Sequence, residues 1–278
     1  MQDSITLNAY AKINWRLQIT GIRPNSYHEL DMFMQTISLH DVLHVKKSSA
    51  NKLTINKELC AEPEKNLVVR AANALSEYTH RNISAEFDLE KRIPSMAGLG
   101  GGSSDCAKAL EALNTLYELK LTDNELNELA LNLGADVPFF LSSGLNRVRG
   151  IGERVDKIAP APRFNLLIYH VPNGLSTQAV YKKFDEMCKP RPSLDDNFAA
   201  KLLSADFSSL NPVNNLEAPA IALLPAIESC KRAMKDLGSV YTLMSGSGSA
   251  VYGVFESETA AREASELLPG SIAAQTTD

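Results

Sequence analysis

From Ile5 to Thr20 every second residue is apolar. Ile5, Leu7, Ala9, Ala11, Ile13, Trp15, Leu17 and Ile19 alternate with Thr6, Asn8, Tyr10, Lys12, Asn14, Arg16, Gln18 and Thr20, all of which can hydrogen-bond. A period of two belongs to a strand with one face on a core and the other toward water. A helix is excluded, because its apolar stripe recurs every three to four residues. The run is long for a strand, so a bend or a break into two is expected. Gly21 to Ser26, with Pro24 inside, reads as the turn that ends it. Residues 33–45 read as a further strand pair.

Other elements follow by the same logic. Leu67, Val68, Ala71, Ala72, Leu75 and Tyr78 recur at helical spacing and predict a helix over 66–78. Residues 83–89 alternate and predict a strand. It runs into a glycine-rich loop and then a helix with Cys106, Ala109, Leu110, Leu113 and Leu116 on one face. Ser103 or Ser104 is the expected N-cap of that helix. Thr122 and Glu125 form a capping box for the next one, which ends at Gly134. Residues 158–163, Ile-Ala-Pro-Ala-Pro-Arg, make a stiff linker. After it the pattern reads strand 165–169, helix 178–187, helix 220–237, strand 240–244, strand 250–255, helix 258–268 and strand 272–276. That order resembles a split βαβ, ferredoxin-like domain. With 278 residues, about two domains are expected. The reading is an α+β chain with an N-terminal domain at 1–157 and a C-terminal domain at 164–278.

Composition narrows the function. Hydrophobic residues make up 44% and charged residues 22%, which suits a globular chain and excludes a coiled coil or a disordered one. Lys plus Arg is 28 and Asp plus Glu is 33, a formal net charge of −5. A general nucleic-acid partner is therefore not expected, although local phosphate pockets are. The four cysteines are far apart and form no CxxC, which argues against a zinc ribbon or redox dithiol and suits a reducing compartment. No leader-like segment and no run of about 18 apolar residues is evident, so the expectation is a soluble, cytoplasmic protein with no membrane partner.

Glycine is slightly scarce, with 15 residues, yet Gly98, Gly100, Gly101 and Gly102 fall within five positions. Between a strand and a helix, such a loop lets backbone approach an anion, and the helix adds unpaired N–H groups and the positive end of its dipole. Two familiar phosphate loops do not match. The P-loop needs a lysine that is absent here, and the dinucleotide fingerprint needs a glycine where Asp105 stands. A second loop of small residues, Met244-Ser-Gly-Ser-Gly-Ser249, reads alone as a hairpin turn. Together the two loops suggest an anion site at the boundary between the domains.

The stretch Pro94-Ser-Met-Ala-Gly-Leu-Gly-Gly-Gly-Ser-Ser-Asp105 resembles the phosphate loop of the kinase superfamily that includes galactokinase, homoserine kinase, mevalonate kinase and phosphomevalonate kinase. Further blocks agree in order: Ala11-Lys-Ile-Asn14, Tyr27-His-Glu-Leu30, Leu133-Gly-Ala-Asp-Val-Pro-Phe139, Leu175-Ser-Thr-Gln-Ala-Val-Tyr181 and Leu243-Met-Ser-Gly-Ser-Gly248. The glycine loop points only to the superfamily. Lys-Ile-Asn with Tyr-His-Glu-Leu points to the branch acting on a cytidine diphosphate-linked methylerythritol. The resemblance implies a two-domain small-molecule kinase fold, with an N-terminal domain like domain 2 of ribosomal protein S5 and a C-terminal ferredoxin-like domain. It implies ATP-dependent phosphorylation of the 2-hydroxyl of that substrate, a step of non-mevalonate isoprenoid biosynthesis.

The same resemblance assigns roles. Lys12 and Asp136 look like the catalytic pair, with Asp136 accepting the hydroxyl proton and Lys12 offsetting charge on the phosphoryl group. Without the resemblance, Lys12 reads as a solvated strand-face lysine and Asp136 as a helix cap. Asn66, Leu67 and Lys91 align with adenine contacts. Pro94, Gly98, Leu99, Gly100, Gly101, Gly102, Ser103 and Ser104 align with phosphate contacts. Asn14, Ser245 and Gly246 align with the substrate's polyol and phosphate side; Tyr27, His28, Thr177 and Tyr181 align with its cytidine. Mg2+ is expected to arrive with ATP, its protein ligands unassigned. His40 and His44 flank a strand and do not read as metal ligands, and Cys106 reads as packing. A monomer or weak homodimer is expected. Another acceptor alcohol, such as mevalonate or homoserine, is one alternative, and a non-catalytic nucleotide-binding protein is another. Tyr27, His28 and Tyr181 argue against the first; Lys12 with Asp136 argues against the second. Three departures stand out: Ser26 where the family usually has glycine, Asn215 in place of a usual aspartate, and bulky Trp15.

Overall fold

The computed structural model describes residues 3–158, 162–194 and 197–278. In chain order, the elements are β1 (Ser4–Ile22), β2 (His28–Lys47), β3 (Lys52–Ile55), β4 (Glu58–Leu59), α1 (Leu67–Thr79), β5 (Ala85–Glu90), α2 (Gly101–Leu116), α3 (Asp123–Leu133) and α4 (Val137–Ser142). Then come β6 (Leu145–Gly150), β7 (Arg154–Lys157), β8 (Asn165–His170), α5 (Thr177–Met187), α6 (Phe198–Leu203) and α7 (Glu217–Leu223). The last are α8 (Ala226–Asp236), β9 (Tyr241–Met244), β10 (Ala250–Phe255), α9 (Glu258–Leu267) and β11 (Ile272–Gln275).

The long alternation is one strand of 19 residues, and the expected pair at 33–45 is likewise one strand of 20 residues. The expected single helix over 220–237 is two, α7 and α8, because Pro225 lacks an N–H to continue the ladder. Ser103 and Ser104 lie inside α2. Its N-cap is Gly100, in the left-handed region at φ 74° with no side-chain cap. The Thr122–Glu125 capping box on α3 forms as expected.

The chain falls into two compact units, interleaved along the sequence. One comprises the chain up to Ala11 with Leu39–Ile93 and Gly100–Ser142; the other comprises Lys12–Ser38, Pro94–Leu99 and Ser143–Asp278. The split is not sequential because β1 and β2 each run through both. A strand of 19 residues reaches up to about 60 Å, about twice the width of a small domain. Residues 159–161, the middle of the expected linker, lie outside the described residues.

In the first unit the strand order is β4-β3-β5-β2. β5 runs antiparallel to β2, with Leu43 opposite Leu89, and parallel to β3. α1 begins where the Asn66 side chain accepts a hydrogen bond from Val68 N at 2.9 Å, and it buries Val68, Ala71, Ala72 and Leu75. α2 packs on α1 and α4 and buries Cys106, Leu110 and Leu113.

In the second unit, β2 pairs with β6 and β6 with β7, antiparallel throughout. The four-stranded sheet has the order β11-β8-β10-β9, also antiparallel. α9 connects β10 to β11, and α8 packs on β9 and β10. This is the expected ferredoxin-like layout. Trp15 anchors the unit's core. It is fully buried, donates from Nε1 to Gln35 Oε1 at 2.8 Å, and meets Phe164, Phe207, Tyr241 and Tyr252. Its bulk fills this core.

Candidate active site

Alternation in β1 predicts one wet face, and that holds only for its start. Thr6 and Asn8 are exposed, but from Ala11 to Ile19 both faces are buried. Lys12 is 3% exposed and Asn14 is 1% exposed. Buried polar groups need partners. Lys12 Nζ donates to Asn14 Oδ1 at 2.5 Å, and Asn14 Nδ2 donates to Met32 Sδ at 3.5 Å. The buried hydroxyl of Tyr252 donates to Asn14 O at 2.9 Å, and that of Tyr241 donates to Trp15 O at 2.8 Å. Burial raises both phenol pKa values, so both remain donors.

The two small-residue loops meet in the second unit. Lys12 N donates to Leu99 O at 3.0 Å, Ser245 Oγ to Gly98 O at 3.0 Å, and Ala250 N to Ala97 O at 3.0 Å. Gly98 sits at φ +74°, and a Cβ there would collide with the Ser245 carbonyl oxygen. Gly246 sits at φ +55°, where a Cβ would lie 3.2 Å from Lys12 Nζ and 3.0 Å from Gly98 O. Only glycine allows this approach without strain. Asn214 Nδ2 donates to Met244 O at 2.9 Å and to Gly246 O at 2.8 Å. Glu217 Oε2 accepts from Met244 N at 2.9 Å and pairs with Lys231 through its other oxygen. Thr177 Oγ1 lies 2.9 Å from Ser247 Oγ.

The rest of the glycine loop belongs to the first unit. Lys91 Nζ pairs with Asp41 Oδ2 and, at 2.7 Å, with Asp105 Oδ2. Asp41 is fully buried, and its Oδ1 accepts from Arg92 N at 2.5 Å and Ile93 N at 2.8 Å. Burial pushes the Asp105 carboxyl up to about 7; Lys91 opposes that shift and Asp41 adds to it. Asp105 Oδ1 and Ser104 Oγ are buried without hydrogen-bond partners. Gly102 and Ser103 complete the first turn, Leu67 lies within 4.0 Å of a Cβ built on Gly102, and Asn66 caps α1. Asp136 sits half-buried in the turn between α3 and α4, also in this unit.

A ring cluster forms in the second unit. The His28 and Tyr181 rings are 4.8 Å apart and tilted by 44°, and Phe184 meets His28 edge-on. His28 Nε2 lies 2.8 Å from Asp185 Oδ1. With His28 and Tyr181 in contact, a planar base does not fit between them. Tyr27 is 58% exposed. Ser26 has φ 67°, the left-handed conformation that the usual glycine suits. Asn215 Oδ1 accepts from Ile19 N at 2.9 Å, a bond that an aspartate at this position would also accept.

Reasoning from the sequence missed Asp41, Asp185, and the role of Asn214 with Glu217. Asp41 is the most traceable of them, an acid within a strongly apolar strand. Of the remaining expectations, His44 Nδ1 lies 2.8 Å from Thr6 Oγ1 and His40 packs edge-on to Tyr10, each in ordinary strand contacts. Burial lifts the Cys106 thiol to about 12, as a packing residue requires.

In the first unit, the start of α2 can hold an anion against backbone. Gly100 has positive φ, α2 offers N–H groups with no side-chain cap, and Ser104 offers an unpartnered buried hydroxyl. These features suit nucleotide phosphates. Known proteins agree with this chemistry. Residues 66–144 match the N-terminal domain of the GHMP kinases, and residues 197–269 match their C-terminal domain. The 4-diphosphocytidyl-2-C-methyl-D-erythritol kinase of Desulfitobacterium hafniense is 38% identical over 95% of this chain and 91% of its own length. Its namesake from Citrifermentans bemidjiense is 37% identical over 94% and 92%. The crystal structure of a 4-(cytidine 5'-diphospho)-2C-methyl-D-erythritol kinase superposes with a TM-score of 0.84 at 35% identity, covering 99% of this chain and all of that one. Homoserine kinase from Cytophaga hutchinsonii shares the fold, with a TM-score of 0.73 at 21% identity, covering 100% of this chain and 95% of that one.

Proposed function

The chain belongs to the GHMP kinases and, within them, to the 4-diphosphocytidyl-2-C-methyl-D-erythritol kinases; it is an ATP-dependent kinase, and we propose that its acceptor is the 2-hydroxyl of 4-diphosphocytidyl-2-C-methyl-D-erythritol, in the non-mevalonate route to isoprenoid precursors. The observation that carries this is the buried Lys12 ammonium, held by Asn14 with Gly246 close beside it. The acceptor's identity rests on the relatives and on Tyr27, His28 and Tyr181.

In the proposed reaction the acceptor hydroxyl loses its proton to the Asp136 carboxylate. The hydroxyl oxygen bonds to the γ-phosphorus, the bond to the bridging oxygen breaks, and ADP leaves. Lys12 offsets the charge on the transferring group, and Asn14 both fixes Lys12 and meets the polyol. Ser245 and Gly246 line the acceptor's side. The loop from Pro94 through Gly98, Leu99, Gly100, Gly101 and Gly102 to Ser103 and Ser104 surrounds the phosphates through backbone N–H groups. Asn66, Leu67 and Lys91 border the adenine. His28, oriented by Asp185, stacks with Tyr181 as one wall for cytosine, Tyr27 takes the other face, and Thr177 lies beside them. Mg2+ would arrive on the nucleotide and would supply charge neutralisation at its phosphates, with the Ser103 or Ser104 hydroxyl available to it. The protein is proposed to work in the cytoplasm as a monomer or weak homodimer; among the described residues no helix is long and apolar enough to cross a membrane.

The decisive experiment is ADP release with a panel of acceptor alcohols. Turnover with the cytidyl substrate is expected; turnover with mevalonate or homoserine instead would overturn the acceptor. Asp136→Asn is expected to lower kcat by about 10²–10⁴-fold, the range for losing a positioned base, with KM for ATP nearly unchanged.

A further inference from the structure

The glycine loop leaves the first unit at Ile93 and returns at Gly100–Gly101. Both ends meet one buried charge cluster. Asp41 Oδ1 accepts from the backbone N–H groups of Arg92 and Ile93, at the loop's entry. Its other oxygen holds Lys91 Nζ, which also holds Asp105, one turn into α2, at 2.7 Å. A Cβ built on Gly101 would lie 3.3 Å from Lys91 Nζ and 3.1 Å from the Ile93 side chain, so the first turn of α2 is drawn close against the entry. The chain Ile93 backbone–Asp41–Lys91–Asp105 therefore spans the loop's two ends.

We propose that Lys91, Asp41 and Asp105 clamp the ends of the glycine loop together, making Asp41 and Asp105 positioning residues for the nucleotide phosphates. The inference rests on reading this loop as the phosphate site. In it, Lys91 serves the nucleotide by fixing the amide groups at the start of α2, with its ammonium engaged by carboxylates. A small spread of those ends moves N–H donors that must converge on one anion, so the cost falls on nucleotide binding.

The test is calorimetric titration with ADP, together with steady-state kinetics and unfolding midpoints, on the full chain. Asp105→Asn, nearly isosteric, is expected to weaken ADP binding and raise KM for ATP by about three- to tenfold, with kcat at saturating ATP and KM for the acceptor within about twofold. Lost folding alone would lower kcat and leave both KM values. Lys91→Met leaves two buried carboxylates facing each other and is expected to weaken ADP by more than about tenfold. Lys91→Arg retains most binding. The double variant Lys91→Met with Asp105→Asn relieves the repulsion and regains at least about threefold over Lys91→Met. ADP affinity in Asp105→Asn and Lys91→Met within twofold of wild type would overturn the clamp. So would a double variant no better than Lys91→Met, which would make Lys91 a direct phosphate ligand. If the wild type itself does not bind ADP, the phosphate reading falls first, an outcome visible before any variant is made.

Discussion

The glycine loop at 94–100 and the hairpin loop at 245–249 are built from similar small residues, yet they are held in different ways. The hairpin closes a ladder between β9 and β10, so neighbouring backbone already supplies most partners. What remains is satisfied mostly by neutral groups: Asn214 donates to two carbonyls and Ser245 N donates to Ala250 O at 2.9 Å, while the charged contact is Glu217, paired with Lys231, which accepts from Met244 N at the end of β9. The glycine loop joins a strand to a helix, where no ladder crosses its ends. There the holding groups are charged: Lys91 between Asp41 and Asp105. Neutral bonds contribute modestly and are insensitive to pH, whereas a buried charge cluster is costly to break and titrates.

The largest blow to this contrast should come from where the two loops touch. Gly98→Ala must meet the Ser245 carbonyl oxygen and adopt φ near +74°, so the loops have to separate. A loss of about 3 kcal/mol is expected in urea unfolding, from overpacking plus backbone strain, together with weakened ADP binding. Unchanged stability would mean that the loops part easily. Asn214→Ala comes next. It strips partners from the carbonyls of Met244 and Gly246, and about 2 kcal/mol is expected, without any change in the pH profile.

The pH profile separates the two loops directly. The folded Asp105 carboxyl is raised to about 7, above its unfolded value of about 4. A raised carboxyl binds its proton more tightly in the folded state. Its contribution is therefore full below about pH 4 and lost as pH climbs through about 7. The difference in unfolding free energy between wild type and Asp105→Asn should change across that window, and a flat difference would remove Asp105 from the account. The smallest effect is at the turn before the ring cluster. Ser26→Gly relieves a left-handed residue at φ 67° and is expected to stabilise the fold by about 0.5 kcal/mol, read from the denaturation midpoint.

Much of this molecule was readable before its coordinates. Helix caps and periodicities act over three or four residues, so α1, α3 and the ferredoxin-like strand order followed from local pattern. The glycine loop's composition marked it as a candidate anion site. The errors share a cause. Ser103 and Ser104 looked like caps because serine usually caps, but a left-handed Gly100 does so here. Residues 220–237 looked like one helix, but Pro225 divides it. Nothing local reveals that strands as long as β1 and β2 run through both compact units.

Local chemistry along the chain was enough to specify α1, α3, the strand order of the C-terminal sheet and the positions of the two small-residue loops. Tertiary structure alone decided that the polar face of β1 is buried beyond Ala11, which turns Lys12 from a surface lysine into a held ammonium. It also decided that Lys91 faces carboxylates 50 positions before it and 14 after it. Burial and charge pairing depend on which distant groups share a volume, and a lysine's environment follows from that volume rather than from its neighbours in sequence.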